Sequence, residues 1–232
     1  MAMLQVLKDV PNTFENLATT IFKTAISLAS KFGCIRVDVV CDRYPDESIK
    51  GAERLKRGSA EAAVINIYGG SQKTPRQWKK FLKSGKNKEN IMEYFFKAWR
   101  YIPNQAFAGK EIYLCHKDKC DRFKVINNDV IVENIVELTC DHEEVDTKIA
   151  VHAIHASGEC NSIIIASPDT DVFAIMLHVS TSCSSSIYFL TGTGVKRRII
   201  PVTTVGQKLG PRLCKALIGF HAFTGRSLVS IF

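Results

Sequence analysis

Apolar residues recur at three- and four-residue steps from about Pro11 to Phe32. Phe14, Leu17, Ile21, Ala25 and Leu28 share one stripe, so the pattern predicts an amphipathic helix, opened by Asn12 or Thr13 and followed by Gly33. Ile35 to Cys41 reads as a strand running into Asp42-Arg43-Tyr44-Pro45, and a basic helix is predicted from about Asp46 to Arg57. After loop signals at Gly69-Gly70-Ser71 and Thr74-Pro75, the aromatic-rich positions Trp78, Phe81, Leu82, Ile91, Tyr94, Phe95, Ala98 and Trp99 predict two helices joined through Ser84-Gly85. Aromatics at this spacing read as core rather than as a base-stacking platform. Glu111 to Cys115 and Arg122 to Ile126 read as strands, and Asn127-Asn128-Asp129 as a turn between extended segments. A helix is predicted from Asp141 to about Ala156. Ile163 to Ala166 then has the β-branched character of a parallel strand covered on both faces. Ser167 suits an N-cap and Pro168 a first helical position, with helix continuing through Val172 to Leu177. Strands follow at Ile187 to Leu190 and Arg198 to Val202, around the turn glycines of Thr191-Gly192-Thr193-Gly194, and a last helix runs from about Val205 to Ile218. Strands alternating with helices predict an α/β fold with a mainly parallel sheet.

Composition narrows this picture. With 232 residues, 46% of them hydrophobic, the chain builds one sizeable core, and a single domain over residues 1–232 is expected. No apolar run reaches the roughly 18 residues of a membrane span, and the N-terminus lacks a signal-peptide pattern. The eight cysteines include no CxxC pair and read as reduced, mostly buried thiols of an intracellular protein, nuclear or cytoplasmic. Cys115, His116 and Cys120 form at most half of a zinc site, with only Cys140 and His142 nearby to complete it. The net charge of +8 favours a polyanionic partner. The cations concentrate in Lys50 to Arg57 and Lys73 to Lys88, with a smaller cluster at Lys196-Arg197-Arg198.

Three acidic elements carry the candidate chemistry. Asp42 ends a strand, Glu144 and Asp146 lie in the first turns of a helix, and Asp169 and Asp171 follow another strand. In open α/β sheets, ligands bind beyond the carboxyl ends of strands. Two readings of Asp169 and Asp171 stand side by side: ligands of a divalent cation, or carboxylates that compensate a helix dipole. If the strands are parallel neighbours, all three acidic elements converge on one sheet edge. Mg²⁺ or Mn²⁺ prefers such carboxylate ligands, and a pair of these ions can clamp a phosphodiester undergoing hydrolysis.

Several stretches together resemble the PIN-like nuclease superfamily, in particular its flap-endonuclease and 5′-nuclease branch and the asteroid-like, mobile-element-associated animal proteins. They are Val39-Val40-Cys41-Asp42-Arg43-Tyr44, Ser48-Ile49-Lys50, Glu53-Arg54-Leu55-Lys56-Arg57, His142-Glu143-Glu144-Val145-Asp146-Thr147, Ser167-Pro168-Asp169-Thr170-Asp171-Val172 and Gly219-Phe220-His221-Ala222-Phe223-Thr224-Gly225. The resemblance implies a three-layer PIN-like α/β fold with a mainly parallel central sheet flanked by helices. It implies a nuclease with Asp42, Glu144, Asp146, Asp169 and Asp171 as ligands of a two-metal Mg²⁺ or Mn²⁺ site. It also implies Lys50, Arg54 and Arg57 as phosphate-binding residues, and a helical arch for nucleic acid within residues 70–105.

The sequence departs from this pattern at two places. The family's first strand ends in a ligand Asp, whereas this sequence begins Met1-Ala2-Met3. The family also carries an Asp after its last Thr-Gly, where Arg226 and Ser227 stand here. A fragment of a longer product, or a degenerate copy with weakened or abolished hydrolysis, is therefore expected. The alternative function is a non-catalytic PIN-like module that binds nucleic acid or protein, with salt-sensitive binding and no cleavage. A dehalogenase-type phosphatase would also use Asp169-Thr170-Asp171-Val172, but the Gly-Asp pair of its second metal motif does not occur.

Overall fold

The computed structural model describes residues 2–42, 63–140 and 145–224. The chain divides into two compact units, Met1–Glu143 and Glu144–Phe232. Their described residues form two mixed α/β sheets rather than one mainly parallel sheet: each has one parallel pair and is otherwise antiparallel. The α/β class is as expected. The antiparallel share comes from short hairpin connections, which cannot make the crossover that a parallel neighbour requires.

In the first unit, α1 spans Ala2–Gln5 and α2 spans Phe14–Lys31. Thr13 caps α2, its side-chain oxygen accepting the Asn16 N–H at 3.3 Å. Phe32 ends the helix and Gly33 follows at φ +66°, a left-handed turn that glycine adopts without a Cβ penalty. Phe14, Leu17, Ala18, Ile21, Phe22, Ala25, Ile26 and Ala29 bury the predicted stripe. β1 (Arg36–Val39) pairs in parallel with β2 (Glu111–His116). β3 (Lys119–Ile126) and β4 (Asp129–Asn134) add antiparallel to give the order β1-β2-β3-β4. Asn127 and Asn128, at φ 50° and 69°, make the two-residue turn between β3 and β4. Asparagine tolerates this left-handed geometry, and its twist suits a hairpin. The predicted strand at Arg122–Ile126 thus starts earlier, and the extended segment after the turn is a full strand.

The aromatic helices are core. α3 (Trp78–Phe81) and α4 (Gly85–Ala98) meet at Ser84, which caps α4 through the Asn87 N–H. Trp99 is fully buried, 5.4 Å from the Phe22 ring and 6.3 Å from Phe123, and its indole N–H donates to the Ala18 carbonyl at 3.2 Å. Buried Asn87 ties the segment before α3 to α4. Its Oδ1 accepts the Ile65 N–H at 2.8 Å, and its Nδ2 donates to the carbonyls of Ala63 (3.0 Å) and Phe81 (3.1 Å). Val37, Val39, Ile112, Leu114 and Phe123 line the core face of the sheet. On the other face, the Arg36 guanidinium lies 3.8 Å above the Tyr113 ring and is paired with Asp38 at 2.8 Å.

In the second unit, α5 (Val145–Ser157) packs on β5 (Ser162–Ala166) and on α6 (Thr170–Val179). β5 is parallel to β6 (Ser186–Thr191), and β7 (Arg198–Pro201) is antiparallel to β6. α7 (Val202–Leu209) and α8 (Pro211–Thr224) follow. The single last helix predicted from Val205 is therefore two, starting earlier and broken at Gly210 (φ +78°). Pro211, lacking an N–H, opens the second helix instead of continuing the first. β5 alternates: Ile163 and Ile165 are buried and Ile164 is half-buried, so it is not the evenly covered strand its composition suggests. Ile187, Phe189, Val172, Met176, Leu177, Val202 and Cys214 complete this core. All eight cysteines are free thiols, four buried and four half-buried, so fewer are buried than the sequence suggests. No helix among the described residues is long and apolar enough to cross a membrane.

Candidate metal centre

β5 delivers the chain to one sheet edge, where Ser167-Pro168 turns it into α6. Proline disfavours helix at the residue before it. Ser167 therefore stays outside the helix, and its hydroxyl accepts the Asp169 N–H at 3.1 Å. The N-cap is Asp169, not Ser167 as the sequence suggests: its Oδ1 accepts the Asp171 N–H at 3.0 Å, and the helix begins at Thr170. Aspartate caps as well as serine does. With two capping residues only two positions apart, sequence alone offers no signal that separates them.

Asp146 lies in the first turn of α5, and the packing of α5 against α6 and β5 brings it to the same place. One carboxylate oxygen from each of Asp146, Asp169 and Asp171 lies within 4.8 Å of the others. Asp146 and Asp171 are half-buried and Asp169 is exposed. Ionised carboxylates at this spacing repel by roughly 3–4 kcal/mol per pair at an effective dielectric of about 20, and by about 1 kcal/mol in bulk water. The pairs of exposed Asp169 lie toward the lower figure. Oxygen donors alone, three to a cluster, suit a hard divalent cation such as Mg²⁺ or Mn²⁺ rather than zinc or copper.

Asp42 is half-buried, three residues beyond β1 in the first unit. Glu144, Lys50, Arg54 and Arg57 lie outside the described residues, as does the predicted basic helix at 46–57. Of the partial zinc reading, strand geometry within the first unit keeps Cys115 and Cys120 together and separates His116 from them. Cys115 and Cys120 are partners across β2 and β3. His116, one residue on, points to the opposite face, its ring 5.9 Å from that of Phe96. Burial and nearby Lys117 hold the His116 imidazole below its ordinary pKa.

Comparison with protein-family models, with curated proteins and with solved structures gives no match for this chain.

Proposed function

We propose that this chain is a PIN-like domain whose carboxylate cluster holds Mg²⁺ or Mn²⁺ and acts on the phosphodiesters of DNA or RNA. The observation that carries this reading is the convergence of Asp146, Asp169 and Asp171 from two helix starts beyond the end of a parallel strand. A divalent ion held there supplies Lewis-acid polarisation of a phosphoryl oxygen. Asp146 and Asp171 hold it from the half-buried side. Asp169 contributes from the solvent side, its carboxylate held by the cap hydrogen bond to the Asp171 N–H. Asp42, Glu144 and a second ion belong to the same proposal through the resemblance to PIN-like nucleases, as does a three-layer arrangement of sheet and helices.

A second reading, a PIN-like module that binds nucleic acid or protein without cutting, draws on one observation. Asp169 already has a structural task as a helix cap, which accounts for its carboxylate without an ion. Mn²⁺ titration followed by calorimetry, with cleavage of single-stranded and flap DNA and of RNA, separates the two. The nuclease reading expects Mn²⁺ binding and metal-dependent cleavage. In Asp171→Asn, both fall by at least the roughly 10–100-fold that loss of a mere supporting group costs a metal site. Metal binding without cleavage supports the binding module. Cleavage that persists unchanged in Asp171→Asn overturns the site.

A further inference from the structure

β5 and β6 are parallel, with Ala166 opposite Leu190, so both strands end at the same edge of the second unit's sheet. The Ser167 N–H donates to the Leu190 carbonyl at 3.2 Å, which carries the pairing to the edge itself. β5 leaves this edge toward Asp169 and Asp171. β6 leaves it through Gly192-Thr193-Gly194-Val195-Lys196-Arg197, before β7 returns from Arg198. Adjacent strands lie about 4.8 Å apart, so this loop rises one strand away from the chain that delivers the carboxylates.

The loop is closed and cationic. Gly192 sits at φ +78°, and a Cβ there would meet the Lys196 carbonyl oxygen at 2.2 Å. The Lys196 N–H donates to the Thr193 carbonyl at 3.0 Å, and the Arg197 N–H to the Gly194 carbonyl at 3.2 Å. Lys196, Arg197 and Arg198 are all exposed, and none forms an ion pair with a described residue. Carboxylates at a sheet edge repel a polyanion. Three neighbouring cations on a preformed turn at the same edge reverse that field locally.

We propose that the β6–β7 loop grips the sugar–phosphate backbone of a nucleic-acid strand through Lys196, Arg197 and Arg198, beside the carboxylate cluster. Charge complementarity selects this occupant: arginine forks match phosphate oxygens in pairs, and backbone contacts of this kind position a strand without reading its sequence. The inference rests on the nucleic-acid part of the proposed function and is independent of its metal chemistry.

The test measures binding of the full chain to a fluorescent single-stranded DNA 20-mer by anisotropy, in EDTA, across a series of salt concentrations. Each phosphate contact contributes roughly 0.7 to the slope of log K against log salt on a single strand. Lys196→Gln/Arg197→Gln/Arg198→Gln is expected to lower the slope by about 2. Arg197→Lys/Arg198→Lys, which keeps the charge, is expected to leave it nearly unchanged. Lys208→Gln/Arg212→Gln/Lys215→Gln removes the same charge from exposed positions on α7 and α8 and is the matched control. The proposal is overturned if the wild type does not bind, if the loop variant keeps the full slope, or if the control loses as much. Omitting divalent ions keeps this result separate from the metal reading. A chain that binds through the loop but takes up no Mn²⁺ fails the metal reading alone.

Discussion

Asp169 Oδ1 holds the first turn of α6 through the Asp171 N–H at 3.0 Å, and the same carboxyl group belongs to the acidic cluster. Two substitutions part these tasks. Asp169→Ser keeps an N-cap oxygen and removes the carboxylate. Asp169→Ala removes both, and losing a cap costs about 1 kcal/mol. In urea unfolding without metal, Asp169→Ser is expected to match the wild type within about 0.5 kcal/mol, while Asp169→Ala falls by about 1 kcal/mol. Both are expected to lose the rise in Tm that Mn²⁺ gives the wild type. If Asp169→Ser retains that rise, Asp169 is a cap and nothing more. At Gly192 the argument is steric. The left-handed backbone alone costs an alanine roughly 1–2 kcal/mol, and its Cβ would collide with the Lys196 carbonyl. Gly192→Ala is therefore expected to lower stability by more than that conformational penalty, measured by the same unfolding curves.

Among the elements, α4 organises the first unit because it faces both the aromatic core and the segment before α3. Asn87, fully buried, makes that second contact with two hydrogen bonds, to Ile65 and Ala63, and adds a third to Phe81 at the end of α3. Asn87→Leu leaves the Ile65 N–H without its partner, at roughly 1–3 kcal/mol for a group left without water, while the Phe81 carbonyl keeps the Ser84 N–H. Faster hydrogen exchange at Ile65, with α5 to α8 unchanged, is the expected outcome. Unchanged exchange at Ile65 would show that the tether does not hold the segment. The sequence made α2 legible because one stripe of apolar residues fits one helical period and Thr13 caps it. It read the break between α7 and α8 poorly. The helical spacing of apolar residues continues across Gly210-Pro211, while the backbone there turns left-handed and must restart.

At the scale of the whole molecule, His116 predicts a pH dependence. Its folded-state pKa lies below the ordinary histidine value, chiefly because burial penalises the charged ring. Between that lowered value and the ordinary one near 6.5, the unfolded chain binds more protons than the folded chain. Stability contributed this way is complete above the ordinary value and is lost as pH falls through the window below it. Glu93, held low by its hydrogen bond to Lys97, and Glu133, held low by Lys124 and Arg122, lose their contributions only below the ordinary glutamate range. Urea midpoints measured between pH 7.5 and 5.5 therefore isolate the histidine window. His116→Phe is expected to flatten the fall in stability there relative to the wild type, and an equal fall in both proteins would remove His116 as its cause.

The sequence by itself determined the local features: the amphipathic stripe of α2, the β-branched core of β5, the Asn-Asn turn and the net positive charge. Each is a property of neighbouring residues, set by helical or strand period and by backbone stereochemistry. Only the tertiary structure decided that the strands pair as two mixed sheets and that Asp146 meets Asp169 and Asp171. Those outcomes depend on which strands hydrogen-bond and how α5 packs against α6. Residues more than twenty positions apart are brought within a few ångströms by burial of apolar faces, and no local pattern encodes the register of that contact.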